Sequence, residues 1–205
     1  MTRLILVRHG ETLWNASMRF QGQTDTELST KGQEQARRTA SRLAGENIDI
    51  AYASDLRRCA ETAEIILDGR EVELRLRPEL RELNFGRWEG LTFEQINAIS
   101  PGVLQRMRSE LRSFEAPEGE SWADLEARVT GMLDEILVQH PNGTVLIVAH
   151  VNPLRILLGR LLQVEGVNWL PVRLYNCSIS IFEVDAGQAK MHTLNDSCHL
   201  EDELQ

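Results

Sequence analysis

Two histidines in this chain stand where a short apolar run ends. Leu4-Ile5-Leu6-Val7 leads into Arg8-His9-Gly10-Glu11-Thr12, with Asn15 just beyond, and Val145–Ala149 leads into His150-Val151-Asn152-Pro153. A neutral imidazole nitrogen is a competent nucleophile toward phosphorus. The neighbouring Arg8 offers a rigid fork of donors that matches phosphate oxygens. Gly10 lets the backbone bend close to a ligand. His150 opens a helix and can donate to a phosphate oxygen with the helix dipole behind it. Taken alone, the first cluster also reads as a His-Gly turn beside an exposed arginine.

Two further clusters complete a set. Ser54-Asp55-Leu56-Arg57-Arg58-Cys59-Ala60-Glu61-Thr62 combines a helix N-terminus, which favours anions, with arginine one turn in. By itself it reads more readily as a capped surface helix with two solvated arginines. Arg81-Glu82-Leu83-Asn84-Phe85-Gly86-Arg87-Trp88-Glu89-Gly90 supplies carboxyls beside aromatics. A carboxyl with a raised pKa can protonate a leaving alkoxide and then take a proton from water. Glu79, Glu82 and Glu89 all compete for that role. Phe85 and Trp88 lower the local dielectric or, more simply, pack the base of the following segment.

Leu6-Val7-Arg8-His9-Gly10-Glu11-Thr12 with Asn15 resembles the signature of the histidine phosphatase superfamily, which includes the phosphoglycerate mutases. The likeness continues in Phe20-Gln21-Gly22-Gln23-Thr24-Asp25, in Leu28-Ser29 and in Gly32 with Gln35-Ala36, and it runs from Leu4 to about Asn195. Ser54 to Thr62 is similar to the family's S-x-L-x-R-x-x-x-T element, and Glu82-Leu83-Asn84-Phe85-Gly86 to its E-x-x-[FY]-G pattern. The resemblance implies that His9 becomes phosphorylated, and that Arg8, Arg58 rather than Arg57, and His150 hold the phosphoryl group. It gives the acid and base role to Glu82. It places Asn15, Gln21, Gly22 and the backbone at Val151 among the phosphate contacts. Many members have Gly where this chain has Val151, and a β-branched residue there changes how the backbone approaches phosphate, which bears on substrate preference. Arg155, His140, His192 and His199 carry no motif role and read as exposed or structurally bonded.

These residues lead us to expect a metal-independent phosphatase that hydrolyses small phosphomonoesters through phosphohistidine. The stretches 82–90 and 150–153 look like the α-ribazole phosphatase and broad-specificity branches. A cofactor-dependent phosphoglycerate mutase is the alternative. Such mutases have a longer segment after the glutamate, rich in paired arginines and tyrosine. Leu91 to Pro117 has Arg106, Arg108 and Arg112 but no Arg-Arg-Ser-Tyr run. A catalytically inactive phospho-ligand binder of the same fold is the third reading, although nucleophile, arginines and acid are all present.

Composition narrows the classes. The 205 residues suffice for one domain with a full core, taken as 1–205. A net charge of −9 makes a poor nonspecific binder of nucleic acid or anionic membrane, so any phosphate must be held by a local cluster of cations. The three cysteines, Cys59, Cys177 and Cys198, form no CxxC pair and read as buried or half-buried reduced thiols. No histidine spacing suggests a metal site, and no cofactor is expected. The apolar runs are too short to span a bilayer, and nothing at the N-terminus reads as a signal peptide, so the cytosol is the expected location. Self-association is left open.

The elements that must position these side chains alternate. Strands are expected at 3–8, 48–53, 72–76 and 144–149, and near a sheet edge at 178–184 and 190–194. Helices are expected from Ser29 or Thr30, at 56–67, from Trp122 to the Pro141-Asn142-Gly143 break, and at 153–162 with Pro153 in the first turn. Residues 85–119, rich in Gly and Pro, read as a lid-like helical excursion over one sheet edge. The pattern predicts a three-layer α/β/α sandwich around a mostly parallel sheet. Ligands in such sheets sit at the carboxyl ends of the strands, where Arg8, His9, Ser54 and His150 all fall.

Overall fold

The structure is a computed structural model that describes residues 1–110, 113–164 and 172–203. Arg112 of the 85–119 segment lies outside the described residues. Strand β1 (Thr2–Arg8) is followed by a single helical turn, α1 (Leu13–Ala16), and by α2 (Thr30–Arg42), which Ser29 caps by accepting the Gly32 N–H. Strand β2 (Ile50–Ala53), helix α3 (Arg57–Leu67) and strand β3 (Glu73–Leu76) come next. The excursion holds a 3-10 turn at Gly86–Trp88, then α4 (Phe93–Ile99) and α5 (Val103–Ser109). Helix α6 (Trp122–Gln139), strand β4 (Thr144–Ala149), helix α7 (Val151–Leu161) and the hairpin β5 (Ile179–Asp185) and β6 (Gln188–Asp196) complete the order.

The six strands form one sheet in the order β3-β2-β4-β1-β5-β6. The first four run parallel, while β5 is antiparallel to β1 and β6 to β5. Period-two alternation sends neighbouring strand residues to opposite cores. Leu4 and Leu6 join Tyr52, Ile147 and Phe182 against α6 and α7. Ile5 and Val7 join Ala51, Val148 and Ile181 against Cys59, Ala63 and Ile66 of α3. Two separate cores on one sheet are the three expected layers. The four central strands need no polar face, which is why 144–149 reads as a continuous apolar run.

Several boundaries differ from expectation. β2 begins at Ile50 rather than at Ile48, which is buried just before the strand. α7 begins at Val151, and Pro153 sits in its third position, so His150 is the residue that turns the chain from strand into helix. Trp88 is buried and stacks at 5.6 Å on Phe114, as a packing role requires. Cys59 and Cys177 are buried, but Cys198 is exposed at the edge of the short C-terminal 3-10 segment, outside both cores. Among the described residues, no helix is long and apolar enough to cross a membrane.

Candidate active site

The parallel strands β1, β4 and β2 end side by side, with Arg8 opposite Ala149 and Ala53 opposite Val148. The next residues keep this order: the His9 N–H donates to the Ala149 carbonyl at 3.0 Å and the Ser54 N–H to the Val148 carbonyl at 3.1 Å. The rings of His9 and His150 therefore meet edge to face, with centroids 5.1 Å apart. All nine residues singled out as site residues line one cavity of about 260 Å³: Arg8, His9, Asn15, Gln21, Gly22, Arg58, Glu82, His150 and Val151.

His9 is buried, and its Nδ1 lies 2.7 Å from its neighbour's carbonyl, Gly10 O. A carbonyl only accepts, so Nδ1 carries the proton and Nε2 keeps its lone pair. Burial, then the charges of Arg58 and Arg8, hold the His9 pKa well below the ordinary 6.5. The ring is neutral at physiological pH, in one tautomer. Asn176 steadies the same loop by donating to the His9 carbonyl at 2.9 Å.

The cations are wired differently. Arg8 donates one Nη1 hydrogen to the Leu174 carbonyl at 2.7 Å, and its buried Nε has no hydrogen-bond partner. Burial pulls its pKa down to about 10, which still leaves it charged. A charged guanidinium with an orphaned buried N–H at a cavity is a group prepared for an anion. Arg58 is fully buried on α3. It donates to the Gly22 carbonyl at 2.7 Å, the Thr24 carbonyl at 2.9 Å, Thr26 Oγ1 at 3.5 Å and His150 Nδ1 at 3.3 Å. One of its five N–H bonds remains. Arg57 points away and pairs with Glu27 at the surface.

Asn15 and Gln21 present donors by elimination. Asn15 Oδ1 accepts from the Thr12 N–H at 3.1 Å and from Asn176, and Gln21 Oε1 accepts from Thr12 and Thr26 hydroxyls at 2.9 and 2.7 Å. With their oxygens turned back into the protein, their amide NH₂ groups are what face a ligand.

Of the three glutamates, only Glu82 reaches the cavity. Burial raises its pKa, against bonds from the Leu83 N–H and Asn152 and the charges of Arg58 and Arg8. Glu79 pairs with Arg77. The Glu89 carboxylate is consumed by the N–H groups of Gln23, Thr24 and Phe85 and the Thr24 hydroxyl.

Three local expectations are corrected. Gly10 does not make room for a ligand: a Cβ there would lie 2.5 Å from the Gly32 carbonyl, so the close approach is to α2. Gly22, at φ +53°, clears the Glu89 carboxylate and lines the cavity as expected of a site residue. The N-terminus of α3 is not left for an anion either, because Asp25 accepts the Arg57 N–H at 2.7 Å. His150 departs from a simple donor role. Its Nδ1 accepts from Arg58, which can only donate, and its Nε2 lies 2.9 Å from Ser54 Oγ. Burial and Arg58 hold its pKa well below 6.5.

The cavity also contains residues for which no role was expected: Met18, Arg19, Met107, Asn152 and Arg155. Arg155 is structurally bonded as expected, to the Val172 carbonyl and to Asn152 Oδ1 at 3.1 Å, yet it also lines the cavity. Helical spacing held a signal here, since 152 and 155 share the face one turn beyond His150. His140, His192 and His199 are bonded elsewhere, to Tyr52, Glu183 and Thr39. Among the described residues no group of three or more His, Cys, Asp or Glu is arranged to hold a metal ion.

The chain is 34% identical over 200 residues to phosphoserine phosphatase 1 of Hydrogenobacter thermophilus, covering 98% of this chain and 95% of that one. It is 37% identical over 209 residues to the "Probable phosphoglycerate mutase GpmB" of Erwinia tasmaniensis, covering 98% and 96%. The solved alpha-ribazole phosphatase of Shigella flexneri superimposes with a TM-score of 0.87 at 26% identity, over 95% of this chain and 96% of that one. The model of the Histidine phosphatase superfamily (branch 1) matches residues 4–197, and the chain belongs to that superfamily.

Proposed function

We propose that this protein is a phosphomonoesterase that hydrolyses small phosphorylated metabolites through a phosphohistidine at His9. One observation carries the reading. His9, with the lone pair on its Nε2, lines a cavity walled by the N–H groups of Arg8, Arg58, Asn15 and Gln21 and by one carboxyl, that of Glu82, in a chain whose net charge is −9. In the first step His9 Nε2 forms a bond to phosphorus as the bond to the leaving oxygen breaks. Glu82, raised toward its protonated form, gives its proton to that oxygen. Water then attacks the phosphohistidine in the place of the alcohol, Glu82 takes its proton, and inorganic phosphate leaves. Arg8 supplies its orphaned Nε–H to the phosphoryl oxygens, with Arg58, Asn15 and Gln21 beside it. These donors do not reorganise as charge develops. Gly22 contributes through its carbonyl, which aims Arg58. Val151 starts α7 at the cavity wall. His150 reaches a phosphoryl oxygen directly only by giving up its Ser54 contact, and otherwise acts by orienting Arg58.

A cavity of about 260 Å³ suits a phosphate with a leaving group of metabolite size. Phe85 and Met107 bring the 85–119 segment to it, and we assign that segment the role of lid in a single domain. Phosphoserine and α-ribazole phosphate belong in the first substrate panel, because proteins similar to this chain bear those names. The cytosol is the compartment this reading assigns, given the buried thiols of Cys59 and Cys177. The 37% identity to a protein named as a mutase favours a second reading, in which the phosphoryl group returns to the substrate. Phosphate release from the panel in the presence of chelator, with an acid-labile phosphoenzyme trapped on His9, is the expected result. No release from the panel, but turnover of phosphoglycerate dependent on its bisphosphate, would select the mutase.

A further inference from the structure

We propose that Asn176 is a positioning residue for the nucleophile His9 and for the phosphate donor Asn15. The inference rests on the phosphatase reading above and concerns a residue for which no role was expected. Asn176 is half-buried behind the cavity wall, on the segment that leads into β5. Its Nδ2 donates to the His9 carbonyl at 2.9 Å and to Asn15 Oδ1 at 3.4 Å. Backbone groups fix the sense of both amides. The Thr12 N–H can only donate, so the Asn15 oxygen turns toward it, at 3.1 Å. The His9 carbonyl can only accept, so Asn176 turns its NH₂ toward that oxygen. The two amides therefore stand in series. Asn176 holds the Asn15 oxygen, and the Asn15 NH₂ is left to face a phosphoryl group.

The same side chain pins the peptide unit that follows the nucleophile. Its carbonyl, that of His9, is held by Asn176, and its N–H, that of Gly10, donates to Thr62 Oγ1 at 3.0 Å. A peptide unit is planar, so bonds at its two ends fix that plane beside the ring. The supporting segment is strained: Cys177 stands at φ +57°, which a residue with a side chain seldom adopts. Such strain persists only where the surroundings over-determine it. Here the Cys177 N–H donates to the Arg8 carbonyl at 2.9 Å, and the Leu174 carbonyl takes Arg8 Nη1 at 2.7 Å. Thr39 Oγ1 at 3.3 Å and His199 Nε2 at 3.2 Å hold the Cys177 carbonyl, and Asn195 Oδ1 accepts the Tyr175 N–H at 2.9 Å. Residues 174–177 are thus tied to α2, β6 and the C-terminal 3-10 segment, and they hold Arg8, His9 and Asn15 together.

Inhibition by inorganic phosphate separates this role from mere support of the fold. A variant that only folds less well has fewer active molecules, which lowers kcat and leaves KM and the phosphate inhibition constant where they were. A variant that misplaces Asn15 weakens the binding of phosphate itself. The experiment measures kcat, KM and the competitive inhibition constant of inorganic phosphate, with p-nitrophenyl phosphate as substrate. It compares the native chain with Asn176→Ala, Asn176→Asp, Asn15→Ala and the double variant Asn15→Ala/Asn176→Ala. Asn176→Ala is expected to lose about 30-fold in kcat/KM and to weaken phosphate inhibition about tenfold. Asn176→Asp keeps the shape but sets an oxygen against the oxygens of His9 and Asn15, and should lose at least as much. Asn15→Ala should weaken phosphate inhibition by a similar factor. The double variant should weaken it by less than the product of the two, because the amides act in series. Native phosphate inhibition in Asn176→Ala, near-native activity in Asn176→Asp, or single effects that multiply in the double variant would each overturn this inference and leave the phosphatase reading standing. A native chain that releases no phosphate from p-nitrophenyl phosphate or from the metabolite panel would overturn the phosphatase reading itself.

Discussion

The loops after β1 and β4 make an instructive pair. Each follows a buried apolar run in a parallel strand, each places a buried histidine at the same rim, and the two rings touch. Burial and the nearby arginines hold both imidazoles neutral. Their wiring differs. After β1 a backbone carbonyl takes one ring nitrogen and leaves the other with its lone pair in the cavity. After β4 both ring nitrogens already have protein partners, Arg58 and Ser54. Residue type and burial are the same, so the hydrogen bonds alone distinguish a nucleophile from a supporting group.

The sharpest way to break this comparison is to remove each ring in turn. His9→Ala should lower turnover by about 10⁴-fold or more and abolish the trapped phosphoenzyme. His150→Ala should cost about 10²- to 10³-fold while a phosphoenzyme still forms. Equal losses, or a phosphoenzyme that survives in His9→Ala, would erase the distinction.

The pH dependence sharpens it further. His9 must be neutral to attack, and its pKa is depressed, so the acid limb of kcat/KM should lie clearly below pH 6.5. A limb centred between 6.5 and 7.5 would contradict the buried neutral ring. Stability should follow the same sign. Unfolded histidines take up protons below about pH 6.5 while the buried ones do not, so stability is lost as pH falls below that value. Each such histidine contributes up to about 1.4 kcal/mol per pH unit. The melting temperature should therefore drop less between pH 7.5 and 5.5 in His150→Gln than in the native chain.

The smallest effect concerns the third strand end, that of β2. Its helix N-terminus is satisfied by Asp25 rather than by a ligand. Asp25→Ala should cost about 1 kcal/mol of stability, as lost helix caps do, and leave turnover nearly unchanged. A loss of turnover as large as that of His150→Ala would return that terminus to the phosphate site.

Much of the molecule was legible before its structure. The three inner parallel strands β1, β2 and β4 announce themselves as apolar runs because both of their faces are buried, and the rim follows from where those runs end. Arg58 was separable from Arg57 by its place in the motif. The misreadings share one cause. Gly10 and the first turn of α3 each read as provision for a ligand, and each is taken up by another part of the chain: Gly32 and Asp25. Cys198 was misjudged because the hydrophobicity of a thiol says nothing of whether a chain terminus brings it into a core.

The sequence by itself determined the layers, the rim and the set of groups that can handle a phosphate, because hydrophobic period and residue chemistry are local properties. Only the tertiary structure chose among like groups. It spent Glu79 and Glu89 on bonds elsewhere and left Glu82 buried with a raised pKa. It tied His9 by one nitrogen and His150 by two. It also brought Asn152 and Arg155 to the wall of the same cavity. Hydrogen-bond partners distant in sequence make those choices, and no spacing along the chain records which donor will meet which acceptor.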